Sequence, residues 1–198
     1  MKLLEHKDTE AIVLAIPRGG IVIGDEVARA LNLKLDVVIP RKIGAPGNPE
    51  LAIGAVVTRD HAMINRELVR QLNISEAYIE QEIENQLREI ERRRKLYLGE
   101  RPPLQVQGKV VLIVDDGLAT GYTALAAIRA VREQNPAKLV LAVPVAPRET
   151  YAMLEREVDE IIAVEVHDLF FAVGQFYEVF TQTTDSEVTE ILSEYRGA

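Results

Sequence analysis

Two adjacent carboxylates, Asp115 and Asp116, directly follow the aliphatic run Val110–Val114, and a short segment rich in small and hydroxylated residues, Ala119-Thr120-Gly121-Tyr122-Thr123, comes just after them. A carboxylate pair accepts hydrogen bonds and suits the neighbouring hydroxyls of a ribose. The segment after it leads into an apolar-periodic pattern, Leu125, Ile128 and Val131, which predicts a helix. The amino end of a helix presents free N–H groups and a partial positive charge, so with the Thr120 and Thr123 hydroxyls it forms a cradle for a phosphate dianion. Acids and cradle so close together point to a sugar phosphate, with hydroxyls on one group and phosphate on the other.

The elements that position these groups are legible as well. Val110–Val114 is a continuous β-branched and aliphatic run, as expected of a strand covered on both faces of a parallel sheet. Its carboxyl end is where open α/β sheets bind ligands, and two acids there are poorly placed for a core. A second unit of the same kind begins at Ala11–Ile16, breaks at Pro17-Arg18-Gly19-Gly20 and continues as a helical pattern through Val22, Val27 and Leu31. Paired glycines let backbone approach a ligand and Arg18 adds a fixed cation, so this loop suits a polyanion.

Leu35–Pro40 reads as another buried strand. Gly44, Pro46, Gly47 and Pro49 then crowd the stretch Arg41–Leu51, which predicts a loop with little order of its own, a lid with Arg41 and Lys42 at its base. Ala52–Thr58 returns as a strand. Asn65–Asn73 is a short amphipathic helix and Ser75–Leu98 a long one, capped by Ser75 and closed by Gly99. Its narrow stripe, Ile79, Ile83, Leu87, Ile90 and Tyr97, is enough to lie along a neighbour or to pair with a second subunit. Arg88, Arg92, Arg93, Arg94 and Lys95 alternate with Glu89 and Glu91, which reads as a solvated helix face in preference to a nucleic-acid footprint.

Arg101–Gly108 is a linker into the central strand. Lys138–Pro144 and Glu160–Val164 are two further strands, with a helix over Arg148–Glu157 between them, so repeated strand and helix units imply a parallel sheet. His167–Val188 holds all four phenylalanines, Phe170, Phe171, Phe176 and Phe180, as either a core patch or a stacking platform for a planar base. Asp185–Tyr195 is a closing amphipathic helix.

The 198 residues suit one domain, 1–198, and the net charge of -8 disfavours nonspecific nucleic-acid or anionic-membrane binding. Without cysteine there is no disulfide, thiolate nucleophile or cysteine-ligated metal. No apolar run is long enough to span a bilayer and MKLLEHKDTE lacks a signal core, so a soluble cytoplasmic protein is expected. Histidines 6, 61 and 167 lack ligand spacing, and no arrangement suggests a covalent nucleophile.

The run VVLIVDDGLATGYT, from Val110 to Thr123, resembles the phosphoribosyl pyrophosphate (PRPP) motif of type I phosphoribosyltransferases, in unbroken order from strand through acid pair to Thr, Gly and Thr. The resemblance implies that family's α/β fold, a Rossmann-like parallel sheet flanked by helices, with a small hood over 165–183; it does not reach 59–108, which reads as a helical insertion. It implies transfer of the phosphoribosyl group from PRPP to a nitrogenous base, with Asp115, Asp116, Arg18 and Lys42 as catalytic residues. Arg18, Gly19, Gly20, Arg41, Lys42, Asp115, Asp116 and Ala119, Thr120, Gly121, Tyr122, Thr123 would bind PRPP, and the Pro17–Arg18 bond would be cis. Mg²⁺ would be held mainly through substrate and water, with Asp115 and Asp116 as its candidate protein ligands. The segment Phe171-Ala172-Val173-Gly174 is similar to the base-stacking segment of the 6-oxopurine enzymes, so Phe171 and Val173 would contact the acceptor. A homo-oligomer is implied too.

The pattern departs from the family at several points. Ala119 stands where the 6-oxopurine enzymes carry an acid thought to act as base, which leaves Glu50 in the lid as a substitute candidate. The lysine that reads a purine carbonyl is missing before the aromatic segment. The chain starts close to its first strand, so the amino terminus is expected to be short. A regulator that senses PRPP without turnover is the alternative, disfavoured by the acidic charge. A kinase-like or phosphatase-like enzyme lacks its Walker lysine or nucleophile.

Overall fold

The structure is a computed structural model that describes residues 2–195, apart from the side chain of Glu50. In chain order it runs β1 (Ile12–Ala15), α1 (Gly20–Leu31), β2 (Lys34–Val37), β3 (Arg41–Ala45), β4 (Asn48–Val56), β5 (Ala62–Ile64), α2 (Arg66–Gln71) and α3 (Glu76–Leu98). It continues through β6 (Val110–Val114), α4 (Tyr122–Arg132), β7 (Lys138–Pro147), α5 (Arg148–Leu154), β8 (Glu160–His167) and α6 (Asp185–Glu194).

Five strands form a parallel sheet in the order β2-β1-β6-β7-β8, with Ile12 of β1 beside Lys34 on one side and Val111 on the other. The all-aliphatic composition of β6 follows from its place in the middle. Val111 and Ile113 pack on one face with Leu125, Ile128 and Val131 of α4. Leu112 and Val114 pack on the other, with Ile21 and Leu31 of α1, Tyr97 of α3, and Val188 and Leu192 of α6. Val111–Val114 are thus buried whichever way they point, the condition that makes a parallel strand continuously apolar. The consequence for the site is that Asp115, the first residue after β6, can only emerge at the sheet's carboxyl edge.

Between β2 and β6 the chain builds a second layer, and here one expectation is overturned. The stretch Arg41–Leu51 is not a loop but most of an antiparallel hairpin, β3 and β4, which β5 extends to three strands. Pro46 and Gly47 are its tight turn: Pro presets the second turn position and Gly47 adopts the φ of +73° required at the third. Pro49, which has no N–H to give the ladder, sits where the register shifts beside Gly44 and Ala45. The hairpin is pinned, because Ile43 and Ile53 are fully buried against Ile79, Ile83, Leu87 and Ile90 of α3 and the Tyr78 hydroxyl donates to the Gly44 carbonyl at 3.0 Å. The apolar stripe of α3 therefore packs on its own chain, with Ile79 and Tyr97 buried and Ile83, Leu87 and Ile90 partly so.

Both inserted helices start as the sequence predicts. Asn65 caps α2 by accepting from the Leu68 N–H, and Ser75 caps α3 by accepting from the Tyr78 N–H. The return to β6 is tied down by buried Asp36, which accepts from Arg101 and from the Leu104 N–H, each at 2.9 Å. Burial still raises the Asp36 carboxyl above the usual carboxylate range.

Candidate active site

A cleft of about 500 Å³ opens at the carboxyl ends of β1 and β6 and draws its lining from several parts of the chain. Asp115 and Asp116 come from the end of β6, Arg18 and Gly19 from the end of β1, Arg41 and Lys42 from the first residues of β3, and Ala119, Thr120, Gly121 and Thr123 from the start of α4. Gly20 and Tyr122 are not in the lining. Gly20 instead packs beneath the site, where a Cβ would lie 2.9 Å from the Asp115 Cα, and Tyr122 is the first residue of α4.

The two loops interlock through missing side chains. A Cβ on Gly19 would lie 1.8 Å from Oδ2 of Asp116, so the acid can occupy its position only against glycine. The Pro17–Arg18 peptide is cis, as expected. Asp115 Oδ1 accepts from the Asp116 N–H at 2.9 Å, and the Tyr177 hydroxyl donates to the Asp116 carbonyl at 2.5 Å.

The turn that leads into α4 is fixed from outside. The Thr150 hydroxyl donates to the Ala119 carbonyl at 2.7 Å and the Leu118 N–H to the Val145 carbonyl at 3.0 Å. Gly121 precedes α4 with a φ of +79°, a conformation that side chains resist, and a Cβ there would sit 2.6 Å from Thr150. Ala119 and Thr120 are exposed at the cleft wall while the helix behind them is buried, so the amino end of α4 faces the open space.

The cleft brings together groups of both charges. Burial, followed by the charge of Asp116, pushes the Asp115 carboxyl well up, with Lys42 opposing, and burial pushes Asp116 up as well. Two carboxylates held close together in a sheltered place await a partner that donates hydrogen bonds or brings positive charge. Burial lowers the Arg41 guanidinium, and the charges of Arg93 and Arg18 lower it further. Arg41 donates through Nε to the neutral Gln86 amide at 2.9 Å.

The aromatic segment is arranged differently from the expectation. Phe171 is 90% exposed and is not in the cleft lining; it borders a neighbouring cavity of about 780 Å³ that shares Ala119 and Thr120 with the cleft. The ring that does line the cleft is Phe180, together with Val173 and the polar run Thr181-Gln182-Thr183. The reason is local packing: Phe170 and Phe176 face one another at 5.1 Å and His167 stacks on Phe176 at 4.4 Å, so that cluster closes on itself and leaves Phe171 outside. Val173 rests over Gly117, where a Cβ would meet it at 2.7 Å.

Sequence reasoning missed Phe180, the run 181–183 and Arg93, which also lines the cleft. For Arg93 a signal existed. It falls three residues after Ile90 and four before Tyr97, on the buried stripe of α3, where an arginine is out of place unless it is used. Glu50, the substitute base, lies outside the described side chains. Among the described residues, no cluster of three or more His, Asp or Glu could hold a metal by protein ligands alone, and no helix is long and apolar enough to cross a membrane.

Comparison with known proteins gives a consistent result. The family model described as phosphoribosyl transferase domain matches residues 2–180. Two Mycobacterium tuberculosis proteins, of strains CDC 1551 and H37Rv, both provisionally named phosphoribosyl transferases, are 39% identical over 191 residues; the match takes in 96% of this chain and 43% of each relative. The chain thus spans less than half the length of the curated relatives it matches. The crystal structure of TT1426 from Thermus thermophilus is 41% identical, covers 94% of this chain and 88% of its own, and superposes with a TM-score of 0.77.

Proposed function

The chain belongs to the phosphoribosyl transferase domain family, and from that premise we propose that it transfers the 5-phosphoribosyl group of PRPP to a ring nitrogen of a small acceptor, a nucleobase or related heterocycle, releasing pyrophosphate. The observation that carries this reading is that one cleft is lined by a buried carboxylate pair, the start of α4 and the cations Arg18, Arg41 and Lys42. PRPP has ribose hydroxyls, a 5′-phosphate and a pyrophosphate to match these three groups.

In this reading Asp115 and Asp116 accept hydrogen bonds from the ribose hydroxyls, and Ala119–Thr123 hold the 5′-phosphate. Arg18, Gly19, Arg41 and Lys42 receive the pyrophosphate. The bond from C1′ to the pyrophosphate oxygen breaks with its electron pair on the oxygen, and the acceptor nitrogen lone pair forms the new bond at C1′. Positive charge that builds on the ribose is stabilised by the acids, and negative charge on the leaving group by the cations. Hydrogen bonds from the ribose hydroxyls would offset part of the burial penalty on the two acids.

Mg²⁺ fits this donor set. Two clustered carboxylates with no third protein ligand beside them match an ion that takes one or two carboxylates and completes its shell with phosphate oxygens and water. Asp115 and Asp116 would hold it, directly or through water, and it would supply neutralisation of pyrophosphate charge. Phe180, Val173 and Gln182 border the cleft and are the candidates for contacting the acceptor. The same reading takes the enzyme to act in the cytoplasm as a homo-oligomer on small molecules only.

The test is release of pyrophosphate from PRPP and Mg²⁺ across a panel of nucleobases. Acceptor-dependent release supports transfer. Tight PRPP binding with no release for any acceptor would instead point to a sensor.

A further inference from the structure

We propose that Arg93, on the inserted helix α3, is an additional ligand for the pyrophosphate end of the substrate. The inference rests on the PRPP reading and adds a residue that the two binding loops and the start of β3 do not include.

Three consecutive arginines on α3 are sent three ways. Arg92 and Arg94 point outward, their side chains 54% and 37% exposed, and each commits both Nε and Nη2 to one glutamate, Glu89 and Glu91 respectively. Arg93 turns inward, with its side chain 12% exposed, and lines the cleft. It commits only Nε, donating to Glu89 Oε1 at 2.8 Å, and among the described residues its terminal nitrogens have no acceptor. Those donors are the part of a guanidinium best shaped for phosphate oxygens.

The local charge is unbalanced. Glu89 serves Arg92 as well as Arg93, and those hydrogen bonds hold its carboxyl down to about 2, so it stays ionised as one anion shared by two cations. Arg18 reaches only Asp185, at 3.9 Å, and that acid also takes Arg92 and the Tyr97 hydroxyl. Arg41 has the neutral Gln86. The ion-pair partners of Arg18 and Arg93 are thus two acids that Arg92 also uses, Arg41 has only a neutral amide, and guanidinium groups do not relieve this by losing a proton. An incoming diphosphate supplies the missing charge. A purely structural Arg93, present only to pair with Glu89, would have no reason to stand in the cleft wall beside Arg41, whose guanidinium it disfavours.

The test uses inorganic pyrophosphate with Mg²⁺ as probe, ribose 5-phosphate as control, and calorimetry on the whole chain and two variants. Arg93→Gln is expected to weaken pyrophosphate binding by about 10- to 100-fold while leaving ribose 5-phosphate affinity unchanged. Glu89→Gln breaks the same ion pair but keeps the guanidinium, and is expected to retain or tighten pyrophosphate binding. Full pyrophosphate affinity in Arg93→Gln would overturn the assignment. So would equal losses in the two variants, because the ion pair and not the guanidinium would then matter. If the unaltered chain binds neither probe, the PRPP reading itself fails, an outcome separate from both.

Discussion

Gly19 and Asp116 belong to different loops, yet the Cα of one stands so close to the carboxylate of the other that a Cβ on Gly19 would lie 1.8 Å from Asp116 Oδ2. The cationic loop and the acidic loop are thus a single fitted object. Gly19→Ala should displace the acid pair, costing about 1–3 kcal/mol of stability and PRPP affinity by at least about tenfold, the equivalent of one lost charged hydrogen bond. A thermal melt and a PRPP titration measure the two effects. A variant with normal stability and affinity would show that the contact yields freely.

Asp115 is held at a cost to the unliganded fold. Burial raises its carboxyl in the folded state above the ordinary value of about 3.9, so the folded chain binds the proton more tightly than the unfolded chain does. Stability therefore falls as pH rises from the unfolded value towards the raised folded one, and the penalty is complete above that. Asp115→Asn should stabilise the unliganded protein at neutral pH by about 0.5–2 kcal/mol, an advantage that vanishes below about pH 4, while PRPP binding is lost. A melting series over pH tests the sign; a less stable variant at pH 7 would contradict it.

The central strand, the acid pair, the cradle and the loop at Arg18 were legible because each rests on local chemistry: a run of aliphatics, two charges, a helix start, paired glycines. The hairpin was not, because the same prolines and glycines that mark disorder also mark a two-residue turn. What separates the two outcomes is burial of Ile43 and Ile53 against α3, a long-range fact. That Phe180 and not Phe171 lines the cleft was not legible for a similar reason. Which of four phenylalanines faces a ligand depends on how Phe170, Phe176 and His167 pack among themselves, and periodicity carries no information about an irregular segment.

The placement of the aromatics separates two substitutions. Phe180→Ala removes a ring from the cleft and should raise the acceptor KM by about tenfold, on the order of a stacking contact, with PRPP affinity unchanged. Phe171→Ala should leave both within about twofold, since its ring is 90% exposed outside the cleft. Steady-state kinetics on the pair decides, and a larger effect from Phe171 would mean that the hood closes differently around substrate.

Arg41 and Lys42 sit on a pinned strand, not on a free lid. Substituting Gln86 by Ala removes the acceptor of Arg41 at 2.9 Å and should weaken PRPP binding by about three- to tenfold without altering the melting transition by more than about 2 °C. Unchanged affinity would show that Arg41 is held by its backbone alone.

The central claim is that the carboxylates after β6 and the cradle at α4 form a PRPP site. It is tested most directly by calorimetric titration of PRPP with Mg²⁺ into the unaltered chain and into a folded double variant, Asp115→Asn with Asp116→Asn. Micromolar binding in the first and none in the second is the predicted result. Absence of binding to the unaltered chain, or equal binding to both, would contradict it.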